Sequence, residues 1–296
     1  MKRMIKRALL PSFLISLFFA SCNVTPDSFW SGDSNVNHRF SGLKDISTID
    51  DEVKGWAGDN QTTKYQVLVL TDVHIGAKFY HKETEDRFFN WLEAYADRAK
   101  IKFALGLGDF ADGAKEGEFQ DYQKLVKRIN GYGIKLLNVV GNHDLYRADG
   151  YENYEKYCYP HCSYYKFYTS NLVWYGLDTA SGTLGSRQLA SLKRELPSEI
   201  KKPVIFTHVP FASDGKAYGV MPFCLRDTTE RNILVSLFSQ CKIAGYFCGH
   251  YHPGGLESFG NVTQYGLKSF GEFGKWYILD VDETAGPAIT VRQYPR

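Results

Sequence analysis

Apolar runs alternate with amphipathic stretches along the chain from residue 65 onward. The first run, Tyr65–Thr71, is rich in β-branched residues, which is typical of a buried strand. The next segment, Glu83–Lys100, places large apolar residues at helical spacing and carries acidic residues in its first turn. Because this strand–helix order then repeats, the pattern predicts one α/β domain.

The remaining elements are predicted on the same grounds. Further strands are expected at Ile101–Leu107, Ile134–Val140, Lys166–Thr169, Asn171–Leu177, Val204–Thr207 and Ile243–Cys248. Further helices are expected at Glu118–Asn130, Ser186–Leu196 and Arg231–Ser239. Short strands around Gln264 and at Trp276–Val281 and Ala288–Arg292, with Gly-rich turns, predict a β-rich C-terminal end.

The first 22 residues have the pattern of an export signal. Four basic residues lie within the first seven positions, and Ala8–Ala20 is an apolar run too short for a comfortable membrane span. Phe19-Ala20-Ser21-Cys22 then resembles a bacterial lipobox, although Phe19 stands where Leu is usual. We therefore expect an exported lipoprotein, anchored to a membrane through Cys22 in the periplasm or at the cell surface. An ordinary secretory signal and an uncleaved anchor are the alternatives.

Residues 23–63 contain few apolar side chains and are rich in Ser, Asp, Asn and Gly. This composition predicts a tether between the anchor and a domain at residues 64–296. The alternative is that part of the segment packs on the edge of the domain.

Composition and charge narrow the class of protein. With 296 residues, 44% hydrophobic and 23% charged, the chain can bury a sizeable core, and disordered or fibrous classes are excluded. Without the four basic residues of the signal, 31 basic residues face 33 acidic ones, so no nucleic-acid partner is expected. Five cysteines remain after the signal, and the absence of a Cys-x-x-Cys pair leaves a zinc ribbon unsupported. Cys158 and Cys162 are close enough in sequence to form a disulfide.

Five of the predicted strands end in polar groups of a restricted kind. Ligand sites in open α/β sheets form at the carboxyl ends of strands. Residues two apart on an extended backbone point to one face, which holds for both the first and the last of these motifs. The motifs are Asp72-Val73-His74, Gly108-Asp109, Gly141-Asn142-His143-Asp144, Thr207-His208 and Gly249-His250-Tyr251-His252.

These groups have the chemistry of a metal centre. Carboxylate, imidazole and amide oxygen are ligands for Mn, Fe, Zn, Ni or Co, and the set contains no thiolate. Seven such groups are too many for one tetrahedral ion, and they suit two ions roughly 3.5–4 Å apart that share a bridging carboxylate. A single histidine is often structural, and that role is expected for His38, His81 and His161.

The five motifs in this order resemble those of the calcineurin-like metallophosphoesterases, over most of the chain after the tether. The resemblance implies an α/β (α+β) fold, a four-layer sandwich of two mixed β-sheets flanked by helices. It also implies two divalent or mixed-valence metal ions, with Asp109 as the bridging ligand. One ion would be held by Asp72, His74, Asp109 and His252, and the other by Asp109, Asn142, His208 and His250.

The resemblance also assigns two catalytic residues and one orienting residue. His143 is implied to face the substrate phosphate instead of a metal, with Asp144 behind it. Asp112 stands where purple acid phosphatases carry a tyrosine, which argues against the purple type. It is expected to orient a loop or a histidine that does not itself bind a metal.

The implied reaction is hydrolysis of a phosphoester by a metal-bound hydroxide that attacks phosphorus in line, with His143 stabilising charge or protonating the leaving oxygen. Whether the substrate is a monoester or a diester stays open. The Tyr-rich segment 146–168 and the loop Ala212–Asp227, which contains Lys216 and Arg226, are expected to rim the site. The tyrosines either stack on a substrate or pack the loop itself. The alternative from another class is a catalytically weak surface binding protein on the same scaffold.

Overall fold

The computed structural model describes residues 32–47, 62–212 and 223–295. Strands in these ranges form two mixed sheets. In chain order they are β1 Lys44–Asp45, β2 Lys64–Leu70, β3 Ile101–Gly106, β4 Leu136–Asn138, β5 Tyr165–Tyr168, β6 Leu172–Gly176, β7 Lys202–Phe206, β8 Tyr246–Cys248, β9 Gly255–Phe259, β10 Val262–Gly266, β11 Trp276–Asp282 and β12 Ala288–Tyr294. The larger sheet has the order β1-β5-β6-β7-β8-β10-β9, and the smaller has β12-β11-β2-β3-β4.

Helices cover the outer faces of both sheets. In chain order they are α1 Gly32–Arg39, α2 Lys82–Ala94, α3 Glu116–Asn130, α4 Gly150–Tyr157, α5 Gly185–Glu195, α6 Thr228–Gln240 and α7 Phe270–Phe273. Single 3₁₀ turns lie at Arg98–Lys100, His143–Leu145 and Leu196–Ser198.

Strand periodicity divides the buried side chains into three cores. Val67 and Val69 of β2 belong to the core between the two sheets, whereas Leu68 and Leu70 belong to the core beneath α2 and α3. This alternation follows from the two-residue repeat of a strand. A third core lies between the larger sheet and helices α5 and α6. The four-layer sandwich of two mixed sheets flanked by helices is therefore confirmed.

Several element boundaries differ from the expected ones. Helix α2 ends at Ala94, because Tyr95 turns to an extended conformation and a separate 3₁₀ turn follows at Arg98–Lys100. Strands β4 and β8 are shorter than their apolar runs. The sequence pattern did not predict α4, which lies in the Tyr-rich segment, or β9, which is an exposed edge strand without alternating apolar residues.

The expectation of a tether throughout 23–63 is wrong for residues 32–47, which pack on the domain as the alternative allowed. Val36 and Ile46 are buried, and β1 adds to the larger sheet in parallel with β5. Arg39 makes a two-pronged ion pair with Asp178, both N–O distances being 2.9 Å. Residues 1–31, with the expected signal and Cys22, and residues 48–61 lie outside the described part. Among the described residues, no helix is long and apolar enough to cross a membrane.

None of the five described cysteines after the signal forms a disulfide. Cys158 and Cys162 therefore do not form the disulfide that their spacing allowed. The reason is that Cys158 faces the core beneath α3, whereas Cys162 faces the core between the sheets.

Candidate active site

The polar strand ends of both sheets meet at one end of the sandwich. Strands β2, β3 and β4 run parallel in the smaller sheet, and β7 and β8 run parallel in the larger one. Asp109, after β3, lies where the two sets meet. Its Oδ2 is 3.5 Å from His74 Nε2 and 3.2 Å from His208 Nε2. The topology thus gathers donors that are up to 180 positions apart in the sequence.

The donor atoms, meaning side-chain atoms that could bind a cation, form two adjoining groups of predicted ligands. Asp72, His74 and His252 bring one such atom each within 4.8 Å of one another, and Asp109, His208 and His250 do the same. A third group with this spacing joins His74 to Asp112 and His143, which were not predicted as ligands. His74 Nε2 and His252 Nε2 face each other at 3.0 Å. Asn142 Oδ1 lies 2.9 Å from His208 Nε2. The structure therefore brings together all seven residues that the sequence analysis named as metal ligands.

Four of these donors sit on strained backbone. Asp72, His74, Asp109 and His250 have φ angles of 51°, 53°, 55° and 67°. Each such left-handed non-glycine residue costs on the order of 1–3 kcal/mol and persists only where the surroundings enforce it. Here Asp72 N–H donates to Gly108 O at 3.1 Å and His74 N–H to Asp109 O at 2.9 Å, which locks the two strand-end loops together.

Two glycines allow these loops to approach closely. A Cβ on Gly141 would lie 2.2 Å from the amide nitrogen and from Oδ1 of Asp109. A Cβ on Gly249 would lie 1.9 Å from Thr71 Oγ1. Since such contacts are impossible, these motif glycines are required for the close packing of Asp109 and Asp72.

The buried cluster has uneven proton affinities. Burial alone would raise the pKa of Asp109, but the charges of His208 and His143 hold it well below its usual range. Burial opposes protonation of His208, yet the charge and hydrogen bond of Asp109 raise its pKa to about 9. Burial and the neighbouring charge of His208 lower the pKa of His250 to about 3. Asp109 is therefore ionised, and protonation of one neighbouring imidazole, His208, disfavours protonation of another, His250.

His143 stands beside the donor groups and is partly exposed. Its Nδ1 lies 2.8 Å from the backbone oxygen of Asp112, and its Nε2 lies 3.0 Å from the hydroxyl of Tyr146. The Tyr146 ring also packs against the imidazole, with the ring centroids 4.1 Å apart. Both ring nitrogens are thus engaged, Nδ1 by the backbone and Nε2 by a side-chain hydroxyl.

The expectation that Asp144 lies behind His143 is wrong. The buried Asp144 carboxylate instead accepts hydrogen bonds from four backbone N–H groups. They belong to Asp109, Phe110, Ala111 and Gly141, at 2.9–3.0 Å. The carboxylate that faces His143 is Asp112, whose Oδ1 is 3.5 Å from Nδ1 of that ring. Asp144 therefore fixes the loops that carry Asp109 and Asn142, not the His143 imidazole.

Asp112 contacts a predicted ligand histidine, whereas a loop or a histidine outside the ligand set was expected as its partner. Its Oδ1 lies 3.1 Å from His74 Nδ1, on the side of the ring opposite the donor cluster. Burial alone would lower the pKa of His74, but this hydrogen bond, followed by the charge of Asp109, raises it. A carboxylate in this place fixes the tautomer that directs Nε2 inward.

Three further contacts at the site were missed by the sequence analysis. Glu272 Oε2 lies 2.6 Å from His252 Nδ1. Phe79 packs edge-on against His74 at a centroid distance of 5.3 Å, and Phe223 tilts against His250 at 5.4 Å. Phe223 belongs to the loop Ala212–Asp227 that was expected to rim the site. Glu272 and Phe79 belong to no motif, so the sequence carried no signal that distinguished them from packing residues.

The expected rim is largely structural in its described part. Three of the eight tyrosines of segment 146–168 are buried, namely Tyr154, Tyr164 and Tyr165, and the other five are partly buried against the cores. Tyr146 is the one that contacts the site. Lys216 lies outside the described residues, and Arg226 packs over Gly182, to whose carbonyl its backbone N–H donates.

The three histidines expected to be structural are exposed and belong to none of the donor groups among the described residues: His38, His81 and His161. The helix expected at Ser186–Leu196 is α5, which contributes Leu192 to the core under the larger sheet.

Comparison with known proteins identifies the family. The family description "calcineurin-like phosphoesterase" matches residues 65–254. A curated relative, a probable cyclic nucleotide phosphodiesterase from Fibrobacter succinogenes, is 25% identical over 187 residues, which cover 62% of this chain and 71% of the relative.

Two solved structures share the fold. A dimetal phosphatase from Danio rerio has a TM-score of 0.51 at 14% identity and covers 78% of this chain and 99% of its own. A purple acid phosphatase from yellow lupin (Lupinus luteus) seeds has a TM-score of 0.58 at 12% identity. It covers 79% of this chain, which spans about half (52%) of the lupin protein. With its family match, its fold and its donor cluster, the chain belongs to the calcineurin-like phosphoesterases and is a metal-dependent phosphoesterase.

Proposed function

We propose that the protein hydrolyses phosphoesters at a centre of two metal cations that share Asp109. The observation that carries this proposal is the orientation of the Asp109 carboxylate. Its Oδ1 accepts a hydrogen bond from the backbone N–H of His143 at 2.8 Å, which leaves Oδ2 between His74 and His208. A carboxylate held in this way can bind one cation on the side of His74 and another on the side of His208.

The donor set fits two such cations. Two neutral imidazoles whose nitrogens face each other at 3.0 Å, as in His74 and His252, gain from a shared positive ion between their lone pairs. One cation would be held by Asp72, His74, Asp109 and His252. The other would be held by Asp109, Asn142, His208 and His250. Bound cations of this kind activate water and neutralise charge on the phosphoryl group.

We assign to His143 the role of acting on the substrate itself. The backbone oxygen of Asp112 accepts the Nδ1 proton, and Nε2 pairs with the Tyr146 hydroxyl, which a substrate would displace. With both ring nitrogens protonated, Nε2–H would contact a phosphoryl oxygen and pass its proton to the leaving oxygen. Asp144 keeps the loop of Asp109 and the loop of His143 in register through its four backbone hydrogen bonds.

Metal content and hydrolysis together test the proposal. The protein is stripped with a chelator, reloaded with Mn²⁺ and assayed on p-nitrophenyl phosphate and bis-p-nitrophenyl phosphate. We expect about two ions per chain and hydrolysis of at least one ester that depends on them. Two bound ions without hydrolysis of either ester would favour the surface binding protein instead.

Variants of the shared and unshared carboxylates test the bridging role. Asp109→Ala should lose most of the bound Mn²⁺, because both cations lose a ligand, whereas Asp72→Ala should weaken one site. Asp149→Ala, an exposed carboxylate change, serves as the control. Retention of two ions per chain by Asp109→Ala would remove the bridging assignment.

A diester substrate has support from the curated relative, whose printed name is a cyclic nucleotide phosphodiesterase. The relevant probe is a 3′,5′-cyclic nucleotide, assayed beside the two nitrophenyl esters. Faster hydrolysis of the cyclic and bis-nitrophenyl diesters than of the monoester would assign a phosphodiesterase. The reverse order would assign a phosphatase.

Export and anchoring through Cys22 are part of the proposal. They are supported by the basic start of the chain, its short apolar run and the Ala20-Ser21-Cys22 sequence. We expect wild-type protein in its host to incorporate a fatty-acid probe and to fractionate with membranes. Cys22→Ser should abolish both, and an unlabelled wild type would contradict the lipoprotein assignment.

A further inference from the structure

Glu272 contacts a donor imidazole from outside the donor cluster. Its Oε2 lies 2.6 Å from His252 Nδ1. The other nitrogen of that ring, Nε2, lies 3.0 Å from His74 Nε2 and 3.6 Å from Asp72 Oδ1. The His252 ring is therefore held between an outer carboxylate and the donor cluster. The family match ends at residue 254, so Glu272 lies outside it.

The turn that carries Glu272 is built onto the strand ends of the site. Ser269 caps α7 by accepting the N–H of Glu272 at 3.0 Å, and its hydroxyl donates to Asp72 O at 2.9 Å. The N–H of Ser269 in turn donates to His252 O at 3.0 Å. One serine thus ties the backbone positions of Glu272, Asp72 and His252 together.

Close contact between α7 and the Asp72 loop requires glycine at position 271. The N–H of Gly271 donates to Asp72 O at 3.0 Å, and a Cβ on Gly271 would lie 2.4 Å from Val73 O. Gly274 then ends the helix in the left-handed conformation, with a φ of 60°. The position of Glu272 is therefore set by backbone contacts and does not depend on a flexible loop.

We propose that Glu272 is a positioning residue for His252. Through His252 it would position the cation of the Asp72 group, which is the set of Asp72, His74 and His252 with the shared Asp109. The carboxylate accepts the Nδ1 proton, which fixes the tautomer and the rotation of the ring with the Nε2 lone pair directed inward. A negative charge on the outer side also makes the imidazole a better donor to a cation. The inference rests on the proposed two-cation centre.

The partners of the other histidines indicate which cation depends on Glu272. His74, in the same group, faces the Asp112 carboxylate through Nδ1 at 3.1 Å. His208, in the second group, faces the neutral backbone oxygen of Leu107 at 2.8 Å. Both imidazoles of the Asp72 group are thus supported by carboxylates, so removal of Glu272 should affect that group and leave the Asn142 and His208 side unchanged.

The test is a calorimetric titration of Mn²⁺ into metal-free protein. Glu272→Gln keeps the size of the side chain but removes its charge, and Glu272→Ala removes the contact. We expect affinity at one of two sites to fall roughly 10–100-fold, the usual effect of losing such a partner, with the other site unchanged. Glu195→Gln is the matched control, because this carboxylate is 29% exposed against 33% for Glu272 and lies on α5 in an ion pair with Arg194.

The outcomes separate this inference from the proposed function. Two Mn²⁺ sites in wild type with unchanged affinities in both Glu272 variants would overturn the role of Glu272 alone. Equal weakening of both sites, together with a lower melting temperature of the metal-free variants, would show a merely structural role and would also overturn it. Fewer than two ions in wild type would overturn the two-cation centre itself.

Discussion

The carboxylates of the site are oriented by hydrogen bonds from the neighbouring loops. Asp109 Oδ1 accepts the N–H of His143 at 2.8 Å, which leaves Oδ2 facing His74 and His208. Asp72 Oδ2 accepts the hydroxyl proton of Thr71 at 2.6 Å, and its Oδ1 accepts the N–H of His250 at 3.0 Å. Because these bonds join residues of the left-handed strand-end loops, they also help to hold the strained backbone in place.

Substitution of His143 should distinguish a role in the chemical step from a role in cation binding. His143→Gln should retain both cations and the melting temperature, because this ring belongs to neither proposed ligand set and its Nε2 faces the Tyr146 hydroxyl. The kcat should fall about 10²–10⁴-fold if His143 acts as the general acid. The measurement is Mn²⁺ content beside kcat for an alkyl ester and for p-nitrophenyl phosphate.

Comparison of the kcat losses on the two esters distinguishes between two possible roles of His143. A proton donor matters more for an alkoxide than for p-nitrophenolate, which leaves without a proton, so a larger loss on the alkyl ester indicates general acid catalysis. Equal losses indicate stabilisation of phosphoryl charge. Unchanged kcat on both esters would remove His143 from the mechanism, and loss of a cation would make it a ligand.

At the scale of elements, the sequence predicted the donors better than the groups that support them. Motifs at strand ends identified Asp109 and Asn142, because parallel strands bring their carboxyl ends to one edge. The partner of His143 was misassigned, since neighbouring positions in sequence do not determine which way a side chain turns. Asp144 follows His143 on a 3₁₀ turn, and its carboxylate points to the opposite side, toward backbone amides. Glu272 was missed because α7 reaches the site only through tertiary packing.

Asp144 should therefore contribute to the stability of the fold by holding the loops of the site together. Each of its oxygens accepts two backbone N–H groups, so Asp144→Asn must turn an NH₂ group toward two other donors. We expect a loss in the free energy of unfolding of about 2–4 kcal/mol, since buried donors are left unpaired. Urea denaturation of the metal-free protein measures it, with the exposed Asp149→Asn as control. A variant as stable as wild type that has lost kcat alone would restore the orienting role for His143.

The segment of α1 and β1 shows how an element can be misjudged from composition. Its few apolar residues, such as Val36 and Ile46, are enough to bury one face against the domain. The ion pair of Arg39 with Asp178 adds a polar contact between this segment and the domain. The side chains of this pair are 7% and 1% exposed, so solvent screens them little. A polar composition therefore predicted a tether where the chain forms an edge of the domain.

The ion pair of Arg39 can be tested directly. Arg39→Ala leaves the Asp178 carboxylate buried without its cationic partner, which should lower the free energy of unfolding by about 3–5 kcal/mol. Arg194→Ala, whose side chain is 71% exposed beside Glu195, should change it little. The measurement is the urea midpoint at constant pH. A midpoint for Arg39→Ala equal to that of the control would mean that residues 32–47 rest only loosely on the domain.

At the scale of the whole molecule, the site depends on two sheets being held in a fixed relation. Donors of the Asp72 group come from the ends of β2 and β8, which belong to different sheets. At the opposite end of the sandwich a buried carboxylate, Glu283, joins the sheets. It accepts the hydroxyl proton of Tyr65 on β2 at 2.6 Å and the N–H of Leu172 on β6 at 3.0 Å. Burial, followed by the charge of Glu283, raises the pKa of Tyr65 well above its usual range, so the tyrosine stays a donor.

Glu283 should thus stabilise the fold without touching the chemistry. Glu283→Ala leaves the N–H groups of Asn171 and Leu172 without their acceptor and opens a small cavity, so the free energy of unfolding should fall by about 3 kcal/mol or more. Glu283→Gln should lose less, about 1–2 kcal/mol, because its amide oxygen can keep both N–H groups while Tyr65 turns its proton to Thr169 Oγ1, 3.2 Å away.

Asp282→Ala changes the neighbouring exposed carboxylate, 46% accessible beside Lys64, and serves as the control. Urea denaturation gives the stabilities, and Mn²⁺ content and kcat well below the transition should match wild type in all three variants. A Glu283→Ala protein that is fully stable yet binds fewer cations would show that the two ends of the sandwich are coupled and that Glu283 is not a purely structural tie.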